Sequence, residues 1–487
     1  MTKVVVISSN IRWLALCLPL LAWCTGTGAE SGTAAMFRYS PSHTAELAAG
    51  PVELGGLAWR FTTGGEVRST PAVAGGIAVF GSNDGFLYAV ELKTGVEKWK
   101  AAVGGDVSSS PAIVRDTVIV LGRDGRLRAL RLNDGSPVWS FATGPDLSLG
   151  EDPRMFDLWV SSPVVADDAV YVGSGDGKVY SVALSTGVKR WSYATQSRVR
   201  SSPAIADGTL YVGSFDGQVY ALDATSGAER WKFQTGDAVQ SSPAVFGGTV
   251  CVGSRATAFF GLNAKNGALQ WRHPHSGSWI LSSAAVSAGK VIFGGSDSHL
   301  FEALDVRTGE PVWSMPVGAR ILGSATVVGN VVVYGAEDFR TYTLDLATGL
   351  GLSMEFTEGP IYSSVVPVDG LVLVGSDDHH LYAFKTHPAA SLAESASPDL
   401  LRAAQGRYRT EGGEVYSLSL HHGRLGLTYC TYPPALVVVQ ADGSLVCPML
   451  WGTTGKIRRE PGKPASALVL STFGRESVAE RWLENSL

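Results

Sequence analysis

Short apolar runs separated by glycine-bearing turns recur along most of the chain, most clearly from Ser201 to Trp231 (SSPAIADGTLYVGSFDGQVYALDATSGAERW). Alternation of apolar and polar positions predicts strands at Ala204-Ile205-Ala206, from Leu210 to Ser214 and from Gln218 to Leu222. Asp207-Gly208 and Asp216-Gly217 are two-residue hairpin turns, in which glycine takes the positive φ that a twisted hairpin requires. Ser226-Gly227 makes a third turn, and the strand carrying Trp231 follows. The unit is a four-stranded antiparallel meander, the size of one propeller blade.

The unit repeats. Trp59, Trp99, Trp139, Trp191, Trp231, Trp271 and Trp313 stand 40, 40, 52, 40, 40 and 42 residues apart, and Met354 takes the next place. Three-strand units begin near Ser69, Ser109, Ser161, Ser201, Ser241, Ser282, Gly323 and Ser363, while fourth strands number one fewer. The strand left over, Trp59-Arg60-Phe61, completes the last unit, which closes a ring and hides sheet edges. The expectation is an all-β, eight-bladed propeller over 59–387. An indole is large and its N–H seeks a partner, so the seven tryptophans are predicted to be structural wedges between blades, with Met354 as a flexible substitute. Hairpin-tip carboxylates (Asp84, Asp124, Asp176, Asp216, Asp297 and Asp338) are turn residues, not acid/base pairs.

Composition narrows the class. The 58 glycines suit turns rather than helices, and 17% charged against 45% apolar residues exclude disorder for most of the chain. A net charge of −5 offers no general attraction to nucleic acid. Residues 1–29 read as a secretory signal: Lys3 and Arg12 precede and begin the apolar stretch Trp13–Trp23, and cleavage is expected after Ala29. Cys24 offers lipidation as the alternative, although Trp23 fits that motif poorly. No later segment is apolar enough for a spanning helix. The mature chain is therefore expected to be exported, periplasmic or extracellular.

Residues 30–58 form a lead-in, 388–399 a linker, and 400–487 a small α+β domain. Strand-like runs in that domain lie at Val415–Leu420, Leu425–Cys430, Ala435–Val439 and Ala467–Phe473, with a closing helix from Glu476 to Leu483. Cys430 and Cys447 could pair in an oxidising compartment, Cys251 reads as a buried hydrophobe, and neither a zinc spacing nor a Ser/His/Asp constellation stands out. His379-His380 and His421-His422 are strand neighbours whose side chains point to opposite faces, so neither pair alone holds a metal.

The segments Ala221-Leu222-Asp223-Ala224-Thr225-Ser226-Gly227-Ala228-Glu229-Arg230-Trp231 and Ala303–Trp313 resemble the tryptophan-docking motif AxDxxTGxxxW of pyrroloquinoline quinone (PQQ) repeats. Phe37-Arg38 with Pro41, His43 and Thr44 is similar to the lead-in of such proteins. Other copies depart from the motif: Ala129-Leu130-Arg131 and Ser181-Val182-Ala183 lack the aspartate. The resemblance implies the propeller fold and two kinds of function, quinoprotein dehydrogenases and cofactor-free proteins of the BamB type. The dehydrogenases carry adjacent cysteines beside the quinone and a calcium-binding set. This sequence has no adjacent cysteines, and most of its blades are of minimal length. Neither PQQ nor calcium is expected. The main reading is a non-enzymatic, protein-binding envelope scaffold, a monomer within a larger complex with other envelope proteins. A divergent PQQ dehydrogenase and a channel ligand sensor are the alternatives.

The residues before the Ser-Ser step of each unit should ring a channel mouth: Arg68, Ser108, Val160, Arg200, Gln240, Leu281, Leu322 and Tyr362. Arg68 and Arg200 could bind an anion or pair with nearby acids. Trp139 to Ser161 is about 12 residues longer than the other steps. This insert, 145–159, carries Asp146, Asp152, Arg154, Phe156, Asp157 and Trp159. Its acids and aromatics suit either a protein contact or a lid over the channel.

Overall fold

The computed structural model describes residues 35–47, 53–148, 157–275, 277–387, 396–429, 433–449, 453–460, 462–472 and 475–482. The signal at 1–29 with Cys24, the insert residues Asp152, Arg154 and Phe156, and Cys430 lie outside them.

The protein is an all-β, propeller-like fold. Seven separate four-stranded antiparallel sheets follow the forty-residue unit. In the sheet 204–234 the strands are Ala204–Ala206, Thr209–Gly213, Gln218–Asp223 and Glu229–Gln234. The second strand is buried throughout, whereas the fourth alternates, because it forms the outer edge of the sheet. The N-terminal strand Glu53–Thr62 pairs antiparallel with His380–His387, placing Trp59 opposite Ala383. Thus the strand left over in the count completes the last of the four-stranded sheets.

Each of the seven tryptophans donates its indole N–H to a backbone carbonyl of the next four-strand unit, at 2.7 to 3.0 Å. The motif glycine lies under the indole. At Gly227 φ is +74°, and a Cβ there would stand 2.7 Å from the Trp191 ring. Two demands therefore fall on one residue, a left-handed backbone and contact with a flat ring. Gly227→Ala is expected to destabilise by more than the roughly 1–2 kcal/mol of the backbone effect alone, measured as a lower urea midpoint at unchanged slope.

Met354 does not take the tryptophan's place. Ser353 faces Thr343 in the register that sets Trp313 against Ala303, and Met354 pairs with Tyr342 one residue on. The motif's apolar content led to the wrong phase. Ser353 accepts a hydrogen bond from the Leu54 N–H instead.

The meander 326–356 is the one four-strand unit that does not stand alone. Its outer strand Gly351–Phe356 meets Ala435 in a parallel pairing, which joins it to a closed eight-stranded barrel built from 406–482 in a 13-stranded sheet. The barrel covers the outer edge that other sheets leave exposed: Leu350 and Leu352 pack with Leu436 and Val438. Gly351 leaves room for the Met449 sulfur, which a Cβ would meet at 2.1 Å.

Among the described residues the C-terminal region is a β-barrel with one short helix, Pro398–Ala404, rather than an α+β domain. The helix expected from Glu476 is a strand, Arg475–Trp482, paired on both sides with Gly406–Thr410 and Ala467–Thr472. Its composition favours a helix, but two unpaired neighbouring edges give its backbone a full set of partners and bury Ala479. Cys447 is buried in the barrel core.

Candidate functional site

Inner strands run from the channel mouth toward the opposite end, and the Ser-Ser step sits between. Its second hydroxyl forms a closed circle of hydrogen bonds. The backbone N–H of Thr70 donates to Ser110 Oγ, Ser110 to Ser162, Ser162 to Ser202 and Ser202 to Ser242. The circle continues from Ser242 to Ser283, Ser324, Ser364 and back to Thr70. The link through Ser324 carries it across the meander 326–356. Such backbone donors would otherwise be orphaned where the strands converge on the axis. Ser242→Ala is expected to cost about 1–3 kcal/mol, since it leaves the Ser202 N–H buried without an acceptor, read by thermal or urea denaturation.

At the far end the lead-in closes the channel. The carbonyls of Ala35, Pro41, Ser42, Thr44 and Ala45 accept N–H groups from five successive or near-successive inner strands, and Glu46–Leu47 pairs parallel with Thr326–Val328. Arg38, buried, donates to the carbonyls of Ala325 and Ala284. His43 is fully buried edge-on to Phe37. Burial, then the Arg38 charge, pushes its pKa down to about 3, so it is neutral.

The result is a blind cavity of about 60 Å³, with Phe37 among its lining residues. All eight predicted ring residues line it, as does Trp159. Arg68 makes a two-pronged pair with Asp377, Nε at 2.9 Å and Nη2 at 2.7 Å, and lies over the Tyr362 ring. Tyr362 donates to Glu337 at 2.8 Å and meets the edge of Trp159. Gln240 accepts from Arg255, whose guanidinium sits near the rings of Phe215 and Trp279.

Opposite Arg68, the insert supplies counter-charges. Arg200, with 2% of its side chain exposed, holds Asp157 through Nε at 2.7 Å and Nη2 at 2.8 Å, and also binds Asp146. Arg198 adds a bond to Asp157 at 2.6 Å, and Arg123 donates to its backbone carbonyl. Burial opposes ionisation of Asp157, but the hydrogen bond and charge of Arg200, then Arg123 and Arg198, outweigh it and lower its pKa. The insert is thus tied down at both described ends, over the mouth. Gly175 permits this: a Cβ there would overlap Asp146.

Sequence reasoning found the ring and the acidic insert. It missed Arg123, Arg198, Glu337 and Asp377, because the pairing depends on which hairpin tips meet at the axis. Asp377 lay beside a recurring hairpin aspartate, Asp378, whose carboxylate accepts the Tyr382 hydroxyl as Asp84 accepts that of Tyr88.

A tricyclic quinone needs a pocket of several hundred Å³ and donors aimed at its carboxylates. The cavity is far smaller, and both rim arginines bond to aspartates of this chain.

A family profile described as outer membrane protein assembly factor BamB matches at 43–202, 138–278, 194–387 and 275–425. No curated protein matches significantly. Among solved structures, BamB from Moraxella catarrhalis is 19% identical, with a TM-score of 0.56, covering 68% of this chain and 97% of its own. A europium-containing methanol dehydrogenase is 15% identical, with a TM-score of 0.61, covering 74% and 99%. The quinohemoprotein alcohol dehydrogenase of Comamonas testosteroni is 16% identical, with a TM-score of 0.62, covering 78% and 85%. At these identities the likeness speaks for the fold.

Proposed function

Since the chain belongs to the family described as outer membrane protein assembly factor BamB, we propose that it is a non-catalytic, protein-binding propeller of the cell envelope that serves as a scaffold in outer-membrane assembly. On this reading the meander 326–356 acts as the eighth blade of the ring, and the barrel is an appendage fused to its edge.

The observation that carries the reading is the channel mouth. Arg68 and Arg200 are both paired with aspartates, the cavity is about 60 Å³, and the described ends of the insert lie at its rim with Leu147 exposed. Leu147, 39% exposed, stands in that insert between Asp146 and Ser148. Apolar residues beside charged ones on a rigid frame suit a protein contact. No helix among the described residues is long and apolar enough to cross a membrane.

A photo-crosslinking residue placed at Leu147, used in the native host, is expected to capture outer-membrane assembly proteins, and Leu147→Glu should reduce that capture several-fold while leaving the Tm unchanged. Oxidation of alcohols by the purified chain supplied with PQQ and calcium would overturn the reading.

A further inference from the structure

The repeat provides its own control, because a residue that departs from it can be compared with equivalents in the same chain. Between the sheets 244–274 and 285–316, five departures converge. The third strand of most units carries an aromatic at one inner position: Tyr88, Tyr180, Tyr220, Tyr342 and Tyr382 each donate a hydroxyl to a hairpin aspartate. In the sheet 285–316 that position is Glu302, which pairs with Phe293 as Tyr88 pairs with Phe80. The hairpin aspartate is replaced by Ser298, whose hydroxyl accepts the Leu300 N–H as Asp84 accepts that of Phe86. Asp297, taken from sequence as the tip residue, stands one position earlier.

The preceding sheet departs at the facing positions. Where other outer strands have Phe141 or Phe233 and then Thr143 or Thr235, this one has His273 and His275. Residues two apart on a strand share a face. Finally, Gly295 stands where Ser174, Ser214 and Ser254 stand elsewhere, and a Cβ on it would lie 2.1 Å from His275 Nε2. The glycine makes room for the imidazole.

These substitutions bring His275 Nδ1 to 2.7 Å and His273 Nε2 to 3.3 Å from Glu302 Oε2, with one ligand atom of each residue within 4.8 Å of the others. His275 Nε2 lies 2.6 Å from Ser298 Oγ, the outer contact that orients a metal-binding imidazole. In the tautomer with its proton on Nε2, His275 donates to that hydroxyl and turns its Nδ1 lone pair toward the Glu302 oxygen, so both face one position that a shared cation can occupy. Tetrahedral zinc at about 2.0–2.1 Å from nitrogen and oxygen ligands sets ligand atoms about 3.3 Å apart. His275 and Glu302 are buried, while His273 is 14% exposed in its side chain and opens the site toward solvent.

We propose that His273, His275 and Glu302 form an inter-blade site for a divalent transition-metal ion of the zinc class, replacing the tyrosine–aspartate brace used by the neighbouring units. The ion takes one ligand set from two successive sheets and cross-links them. Histidine and carboxylate donors suit zinc and cobalt over calcium, which prefers oxygen alone.

The test uses the full mature chain stripped with chelator and titrated with zinc chloride, then with cobalt chloride. One zinc per chain is expected at micromolar affinity or tighter, with a raised Tm and, for cobalt, the visible bands of a tetrahedral ion. Glu302→Gln should weaken binding by about a hundredfold. A second variant restores the repeat's own residues (His273→Phe, His275→Thr, Gly295→Ser, Ser298→Asp and Glu302→Tyr); it should fold, as circular dichroism can verify, and bind no metal at this site. Binding only at millimolar zinc, or equally tight binding in the folded variants, overturns the proposal. Neither outcome bears on the protein-binding function.

Discussion

Trp231→Ala is expected to lower the stability of the propeller by about 3–5 kcal/mol, the range for removing a large buried aromatic. The indole is 8% exposed, covers Gly267, and lies 5.7 Å from the Tyr211 ring. The space left cannot collapse, because the opposing wall is the backbone of the next sheet, held by its own strand pairing. Trp231→Phe separates packing from hydrogen bonding. It keeps most of the apolar contact and removes the N–H donor to Ala264 O, yet that carbonyl also accepts from the Tyr211 hydroxyl at 3.0 Å. The phenylalanine variant should therefore lose only about 0.5–1.5 kcal/mol. Urea denaturation of the three proteins measures both. A loss as large for phenylalanine as for alanine would show that the hydrogen bond, not the wedge, holds the sheets together.

The second large effect is expected at Asp157. Removing one partner of a buried ion pair costs about 3–5 kcal/mol, because the other charge stays buried. Asp157→Ala leaves Arg200 with Asp146 alone, whose side chain is 33% exposed. Adding Arg200→Met to that variant should recover much of the loss, since the stranded charge is then gone too. The pH dependence has a definite sign. The pKa of Asp157 is lower folded than unfolded, so its contribution is complete above the ordinary aspartate range near about pH 4. It is lost as pH falls through the depressed folded value. Wild-type protein should therefore lose stability on acidification below about pH 4 that the Asp157→Ala variant has already lost. Parallel acid titrations of the two would count against the pair.

Much of this architecture was legible beforehand. The turns at Asp207-Gly208 and Asp216-Gly217, the recurring tryptophans and the leftover strand at Trp59 are local signals, repeated often enough to reveal the ring and its closing strand. The ring of mouth residues was legible for the same reason: one phase of one repeat. Where a unit departed from the repeat, reading failed. Met354 stands one residue off the tryptophan position because that position holds a polar residue, Ser353, which only the strand pairing identifies. The segment from Glu476 has helical composition, yet it sits between two strand edges that only the folded barrel brings together. His273 and His275, spaced two apart in a strand, were a signal open to notice, but their partner Glu302 comes from the next sheet.

Short-range periodicity and turn chemistry are properties of neighbouring residues, so the blade, its repetition and the tryptophan wedge follow from the chain as written. Arg68 with Asp377, Thr70 with Ser364, and the lead-in carbonyls with inner strands hundreds of residues away meet only after the ring closes. Closure turns sequence-distant positions into neighbours around one axis. Burial there sets Arg68 against Asp377 and Arg200 against Asp157, and so the electrostatics of the mouth belong to the fold rather than to any segment of it.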